Sequence, residues 1–170
     1  MKSLFLTLLL GLVAVLRPLP ETWYTKAMVS DKKCQEGKGP KKVFPIRVTS
    51  LEGGDLELIM TFLKNNQCQK KKIKIVMGKI DEPGKYISYE SPGKNTFYIQ
   101  ELPVKDHYIF YCEHHQHHGK SHHKGKLVGR DPEENPEAME EFKKFVQNKG
   151  LKEENIFVPE QRDQCIPESD

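Results

Sequence analysis

The sequence predicts an all-β fold with one C-terminal helix: eight antiparallel strands closed into an up-and-down barrel, with the helix packed on its outer wall. Three observations predict it. Eight runs of strand-forming residues follow one another at short, regular spacing. Clusters of Gly, Pro, Asn and Asp separate most of them and read as turns. The apolar periodicity then changes once, late in the chain, from two to that of a helix. Eight antiparallel strands have few stable solutions. Closure removes the edges and leaves an interior about wide enough for one small ligand. A two-sheet sandwich is the alternative that the same pattern permits.

Residues 1–20 read as a secretory signal peptide. Lys2 is a basic n-region, and Leu4–Leu16 is an apolar core too short to span a bilayer comfortably. Arg17-Pro18-Leu19-Pro20 lacks a small-residue cleavage pattern, so the cut is placed only between 16 and 20. Residues 21–170 form a single domain long enough for a real core.

The first strand is Trp23–Asp31, followed by a polar loop over Lys32–Lys42. Val43–Leu51 is the second, with Pro45 placing its start at an edge or bulge. Glu52-Gly53-Gly54-Asp55 turns into Leu56–Lys64, and Lys64-Asn65-Asn66 turns into Cys68–Lys79. There Lys72 and Lys74 point one way while Ile73, Ile75 and Met77 point the other. Asp81-Glu82-Pro83-Gly84 leads to Lys85–Glu90, and Ser91-Pro92-Gly93 to Asn95–Glu101. The last two strands, His107–Cys112 and Lys126–Val128, flank a polar connection crowded with six of the seven histidines. Asn135 is a helix N-cap, Pro136 occupies the first helical position and Gly150 is the stop, giving a helix over about 136–149. Its apolar stripe is Met139, Phe142, Phe145 and Val146. Ile156–Val158 reads as a short ninth strand.

Composition excludes several function classes. The net charge is only +3, from 27 basic and 24 acidic residues, and the Lys70–Lys74 run reads as the solvated face of a strand, so nucleic acid is not indicated. No Asn-x-Ser/Thr acceptor occurs. Cys34, Cys68, Cys112 and Cys165 allow three pairings, and spacing cannot choose among them. No serine-hydrolase, cysteine-protease or metal-hydrolase motif is found, so an enzyme is not expected.

Three motifs then carry a resemblance: Glu21-Thr22-Trp23-Tyr24, Lys105-Asp106-His107-Tyr108 and Leu127-Val128-Gly129-Arg130-Asp131. The stretches KAMVSD, LEGG, DEPGKY, KDHYIFYCE and KLVGRD narrow it. The chain resembles the lipocalins along nearly its whole secreted length, within them the group of tear (von Ebner gland) and odorant-binding lipocalins. The resemblance implies a secreted carrier of small hydrophobic molecules such as odorants, fatty acids or aldehydes, without a cofactor. It implies that Trp23 closes the barrel floor with Arg130 over its ring, that Asp106 belongs to the structural motif, and that Cys68 and Cys165 are bridged. Cys34 and Cys112 are then expected as free thiols, with a bridge between them the minority reading. Two departures stand out: Glu21 replaces the family's glycine, and the Lys70–Met77 run is about two residues longer than in these relatives.

Alternation marks the candidate cavity lining: Ile46, Val48, Leu58, Met60, Phe62, Ile73, Ile75, Phe97, Ile99, Tyr108 and Phe110. These could instead fill the interior completely. Lys126 shares parity with Arg130, and the resemblance places a lysine of this strand inside the cavity. An ammonium in an apolar pocket is costly, so its pKa falls or an anion joins it. The charged form would pair a carboxylate and the neutral amine would meet an aldehyde. His114, His115, His117, His118, His122 and His123 are candidate ligands for zinc, copper or nickel, which makes a metal-binding secreted defence protein the alternative function. The commoner fate of such a tract is a solvated, pH-sensitive loop. A monomer or weak dimer is expected, and any cell-surface receptor is unknown.

Overall fold

The computed structural model of the 170-residue chain describes residues 20–31, 42–78, 82–91, 93–115 and 121–167. The expected signal peptide lies outside them, as does Cys34. Ten strands occur among the described residues. They are β1 (Glu21–Ser30), β2 (Lys42–Val43), β3 (Ile46–Ser50), β4 (Leu56–Lys64), β5 (Gln67–Met77), β6 (Lys85–Ser91), β7 (Gly93–Glu101), β8 (His107–His115), β9 (Ser121–Gly129) and β10 (Glu160–Gln161). One helix, α1 (Pro136–Asn148), follows β9.

Eight of the strands close a barrel in the order β1-β3-β4-β5-β6-β7-β8-β9, every neighbour antiparallel. β1 performs the closure. Its first residues, Glu21–Trp23, pair with β3, and Tyr24–Ser30 pair with β9. A bulge between Thr25 and Ala27 leaves Lys26 out of the ladder, which bends the strand as closure requires. The β4–β5 register runs unbroken from Leu56↔Ile75 to Lys64↔Gln67, so the long Lys70–Met77 run is accommodated without a slip. Asn65 and Asn66, at φ 52° and 57°, make the two-residue turn whose left-handed residues match the strand twist. Gly84 is required for space as well as for its φ of 84°, since a Cβ there would lie 2.6 Å from the Ile99 carbonyl oxygen.

Three elements differ from the sequence reading. Val43–Leu51 is split at Phe44-Pro45, because proline has no N–H to give the ladder and restrains the residue before it. Lys42–Val43 instead pairs in parallel with Glu160–Gln161 of the tail. The ninth strand is not Ile156–Val158. Only Phe157 bridges to Met28, exchanging both backbone bonds at 2.7 and 2.8 Å, between a 3-10 turn at Glu153–Asn155 and Pro159. Finally, the last hairpin is longer than composition indicates. β8 and β9 pair continuously from His107↔Gly129 to His115↔Ser121. His114, His115, His122 and His123 are therefore strand residues, the first two paired with both β7 and β9 and the last two with β8, and are carried by that pairing rather than by propensity. His117 and His118 lie outside the described residues.

The helix starts where expected: the Asn135 side chain accepts the Ala138 N–H at 3.1 Å. It ends at Gly150, φ 74°, whose N–H donates to Gln147 O while Leu151 N–H donates to Val146 O. Ala138, Phe142 and Val146 are fully buried against Ala27, Val29, Ile109 and Leu127 on the outside of the wall. Beyond the helix the Lys149 ammonium lies 5.0 Å from the Tyr111 ring and 5.6 Å from Phe145, a cation–π clasp at the negative end of the helix. Cys68 and Cys165 are bridged, tying β5 to the tail.

Candidate functional site

Up-and-down topology puts the starts of β1 and β8 and the end of β9 together at one end of the barrel. That end is closed. Trp23 is 7% exposed, packs edge-on to Tyr108 at 4.8 Å, and carries the Arg130 guanidinium 5.1 Å from its ring. Glu21, in the place where the family has glycine, forms an ion pair with Arg130 at 3.2 Å, so the departure braces the floor plug. Asp106 adopts the left-handed conformation, φ 59°, and its carbonyl accepts the Arg130 N–H.

Beside this floor lies a polar network, buried at Lys26 and His107 and open to solvent at Asp131, that composition does not reveal. His107 donates from Nδ1 to the Lys105 carbonyl oxygen at 2.8 Å, leaving Nε2 to accept from the Lys26 ammonium at 2.7 Å. The same ammonium reaches Asp131 at 3.2 Å. Burial alone would raise the Asp131 pKa, but the Lys26 hydrogen bond and the Glu133 N–H hold it below the usual carboxylate value. Gly129 makes room for the network, since a Cβ there would meet Lys26 Cε at 2.8 Å. Sequence reasoning did not single out Lys26, which stands beside the apolar run Ala27-Met28-Val29 of β1.

Above the floor the inner face is apolar. Trp23, Ile46, Val48, Leu58, Ile73, Ile75 and Val128 form one cluster, with Leu56, Met60, Tyr86, Phe97, Ile99, Tyr108 and Phe110 packed against it. Ten of the eleven alternation-derived lining residues are in this cluster; Phe62, the eleventh, is half-buried on the same face of β4. Leu56, Tyr86 and Val128 were missed, although Tyr86 followed from alternation along its strand. The outer-wall residues Ala27, Val29, Ile109 and Leu127 are at most 3% exposed. The inward Met60, Phe62, Phe97, Ile99, Tyr108 and Phe110 are only half-buried. On the same inner face Ile46, Val48, Leu58, Ile73, Ile75 and Val128 are at most 8% exposed.

Lys126 stands on this face. Its cross-strand partners are Phe110 on β8 and Met28 on β1. Burial lowers its pKa below that of a free lysine, and repulsion from Lys124 lowers it further. Cys112, two residues beyond Phe110, is a free thiol whose pKa is raised by burial. Nearer the open end His114 and His122 are directly paired, their rings stacked at 6.4 Å, and His114 is hydrogen-bonded to Asn95. On the outer face His123 Nδ1 accepts from the Tyr111 hydroxyl at 2.6 Å. Among the described residues no three His, Cys, Asp or Glu side chains are gathered into a metal site, and no helix is long and apolar enough to cross a membrane.

Comparison with known proteins agrees with this architecture. The profile of the Lipocalin / cytosolic fatty-acid binding protein family matches residues 21–163. Odorant-binding protein 2a of Mus musculus is 46% identical, with all of both chains covered. Lipocalin-1 of Sus scrofa is 44% identical over 98% of each chain. von Ebner gland protein 1 of Rattus norvegicus is 42% identical over 97% of each. Among solved structures, the siderocalin Ex-FABP superposes with a TM-score of 0.73 at 22% identity, covering 88% of this chain and 98% of its own, a likeness of fold.

Proposed function

The chain belongs to the lipocalin family, whose members are ligand carriers rather than enzymes, and from that premise we propose that it is a secreted carrier of small hydrophobic molecules held reversibly in the barrel, with Lys126 as polar anchor. The observation that carries the reading is the apolar inner face itself, with buried Ile46, Val48, Leu58, Ile73, Ile75 and Val128 beside half-buried Met60, Phe97, Ile99, Tyr108 and Phe110, and Lys126 standing among them. The inner side chains provide apolar contact without direction. Lys126 supplies direction: its charged form pairs a fatty-acid carboxylate, and its neutral form, favoured by burial, can condense with an aldehyde. Residues 1–20 act as the export leader, in keeping with a disulfide-bonded mature domain.

Displacement of a fluorescent fatty acid tests this directly. Lys126→Ala is expected to weaken a carboxylate ligand by about tenfold or more, the worth of one charge-assisted bond, and to leave a neutral alkane of equal length nearly unchanged. Equal losses for carboxylate, aldehyde and alkane would show that the lysine is not the anchor. Failure of the wild type to bind the probe would remove the carrier reading itself.

A further inference from the structure

Lys126 is not alone on the inner face. The unbroken β7-β8-β9 register defines two adjacent rungs facing the interior. The lower holds Ile99, Phe110, Lys126 and, across the closure, Met28. The upper, one step nearer the open end, holds Phe97, Cys112, Lys124 and Ser30. These eight positions contain two lysines and no carboxylate. Some lysines elsewhere are paired with acids: Lys72 with Glu57, Lys85 with Glu82, Lys26 with Asp131. Among the described residues neither Lys124 nor Lys126 has an acidic partner within ion-pair distance.

Two like charges on one face repel, and the effect is felt here, since Lys124 helps to lower the Lys126 pKa. A single carboxylate would neutralise only one of them. Residues two apart on a strand are roughly 6.6–6.8 Å apart at the backbone, and four-carbon stems easily converge over that distance on a single group. Lys124 is exposed at the opening while Lys126 is half-buried below it. A head group seated between them would leave its chain among Phe97, Ile99 and Phe110.

We propose that Lys124 and Lys126 together seat a doubly charged head group, so that the cavity prefers a single-chain phosphate monoester amphiphile over the carboxylate of the same chain length. This deepens the carrier reading and rests on it. The phosphate monoester is close to a dianion at pH 8, its second pKa being about 6, and it offers three acceptor oxygens against the two of a carboxylate.

The test is displacement of a fluorescent fatty acid at pH 8 by dodecanol, dodecanoate, dodecyl phosphate and inorganic phosphate. Wild type, Lys124→Gln and Lys126→Gln are compared, with circular dichroism confirming the fold of each. In the wild type, dodecyl phosphate is expected to bind about tenfold more tightly than dodecanoate, the worth of one further charge-assisted bond. Inorganic phosphate should displace nothing. Lys124→Gln should reduce that preference to about twofold or less while changing dodecanoate little; Lys126→Gln should weaken both. Absence of a phosphate preference in the wild type, or its survival in Lys124→Gln, would overturn the proposal and leave the carrier reading standing. Displacement by inorganic phosphate alone would overturn the amphiphile and assign a free-anion site. Failure of the wild type to bind the fluorescent fatty acid at all would sink the carrier reading and this proposal together.

Discussion

Removing the Cys68–Cys165 bridge is the perturbation whose size follows most directly from the fold. The cysteines are 97 residues apart in sequence, so the bridge closes a loop that runs from β5 through β9 and the helix into the tail. In the chain-entropy account, opening a loop of about 100 residues frees the unfolded chain by about 4.7 kcal/mol at 25 °C. The native tail has other holds. Glu160–Gln161 pair with Lys42–Val43, Phe157 bridges to Met28, and Arg162 N–H donates to Val43 O at 2.9 Å. The folded state is therefore expected to survive, with the cost falling mainly on the unfolded side. The assay is urea denaturation of Cys68→Ala/Cys165→Ala, with Cys34 and Cys112 replaced by serine in both proteins to prevent exchange. The expected outcome is a loss of about 3–5 kcal/mol, a thermal midpoint roughly 10–20 °C lower, and a steeper denaturant slope from a more expanded unfolded chain. A loss below about 1 kcal/mol would refute the reasoning. It would mean that unfolded-state structure already does what the bridge does.

Three further outcomes are expected. Trp23 is the single tryptophan, so its fluorescence reports on the floor. Arg130→Ala should shift its emission to the red and cost about 1–2 kcal/mol in urea melts, and an unchanged spectrum would show that the guanidinium does not shield the ring. Phe142→Ala, deleting a fully buried ring between helix and wall, should cost about 3–5 kcal/mol; a loss under about 1 kcal/mol would show that the helix is only loosely docked. For pH, the free lysine value is 10.5 and burial sets Lys126 below it. The ammonium that pairs a carboxylate is present at low pH and is lost as pH rises through this lowered pKa. Carboxylate affinity should therefore fall at a pH below 10.5, and Lys126→Gln should abolish the dependence; a dependence retained in the variant would assign it to another group.

The barrel was legible because it is built from local signals. Turn residues such as Asn65-Asn66 and Gly84 mark where strands end, and alternation marks which side chains share a face. The ten clustered lining residues followed from that alone, as did the Asn135 cap and the Phe142 stripe. The misreadings arose where pairing overrides composition. His114 and His122 look like loop residues by type, yet β7 and β9 hold His114 in the sheet and β8 holds His122. Phe157 looks like part of a strand, yet Pro159 limits it to a single bridge.

By itself, then, the order of residues determined the number of barrel strands, their inward faces and the helix, because each depends on neighbours a few positions away. Only the closed tertiary structure decided that Glu21 would reach Arg130, that Lys26 would meet His107 and Asp131, and that Lys124 and Lys126 would occupy two neighbouring rungs that hold no carboxylate. Those meetings depend on register across strands distant in the chain. In a barrel, register is set by the closure of the whole sheet and not by any one of its strands.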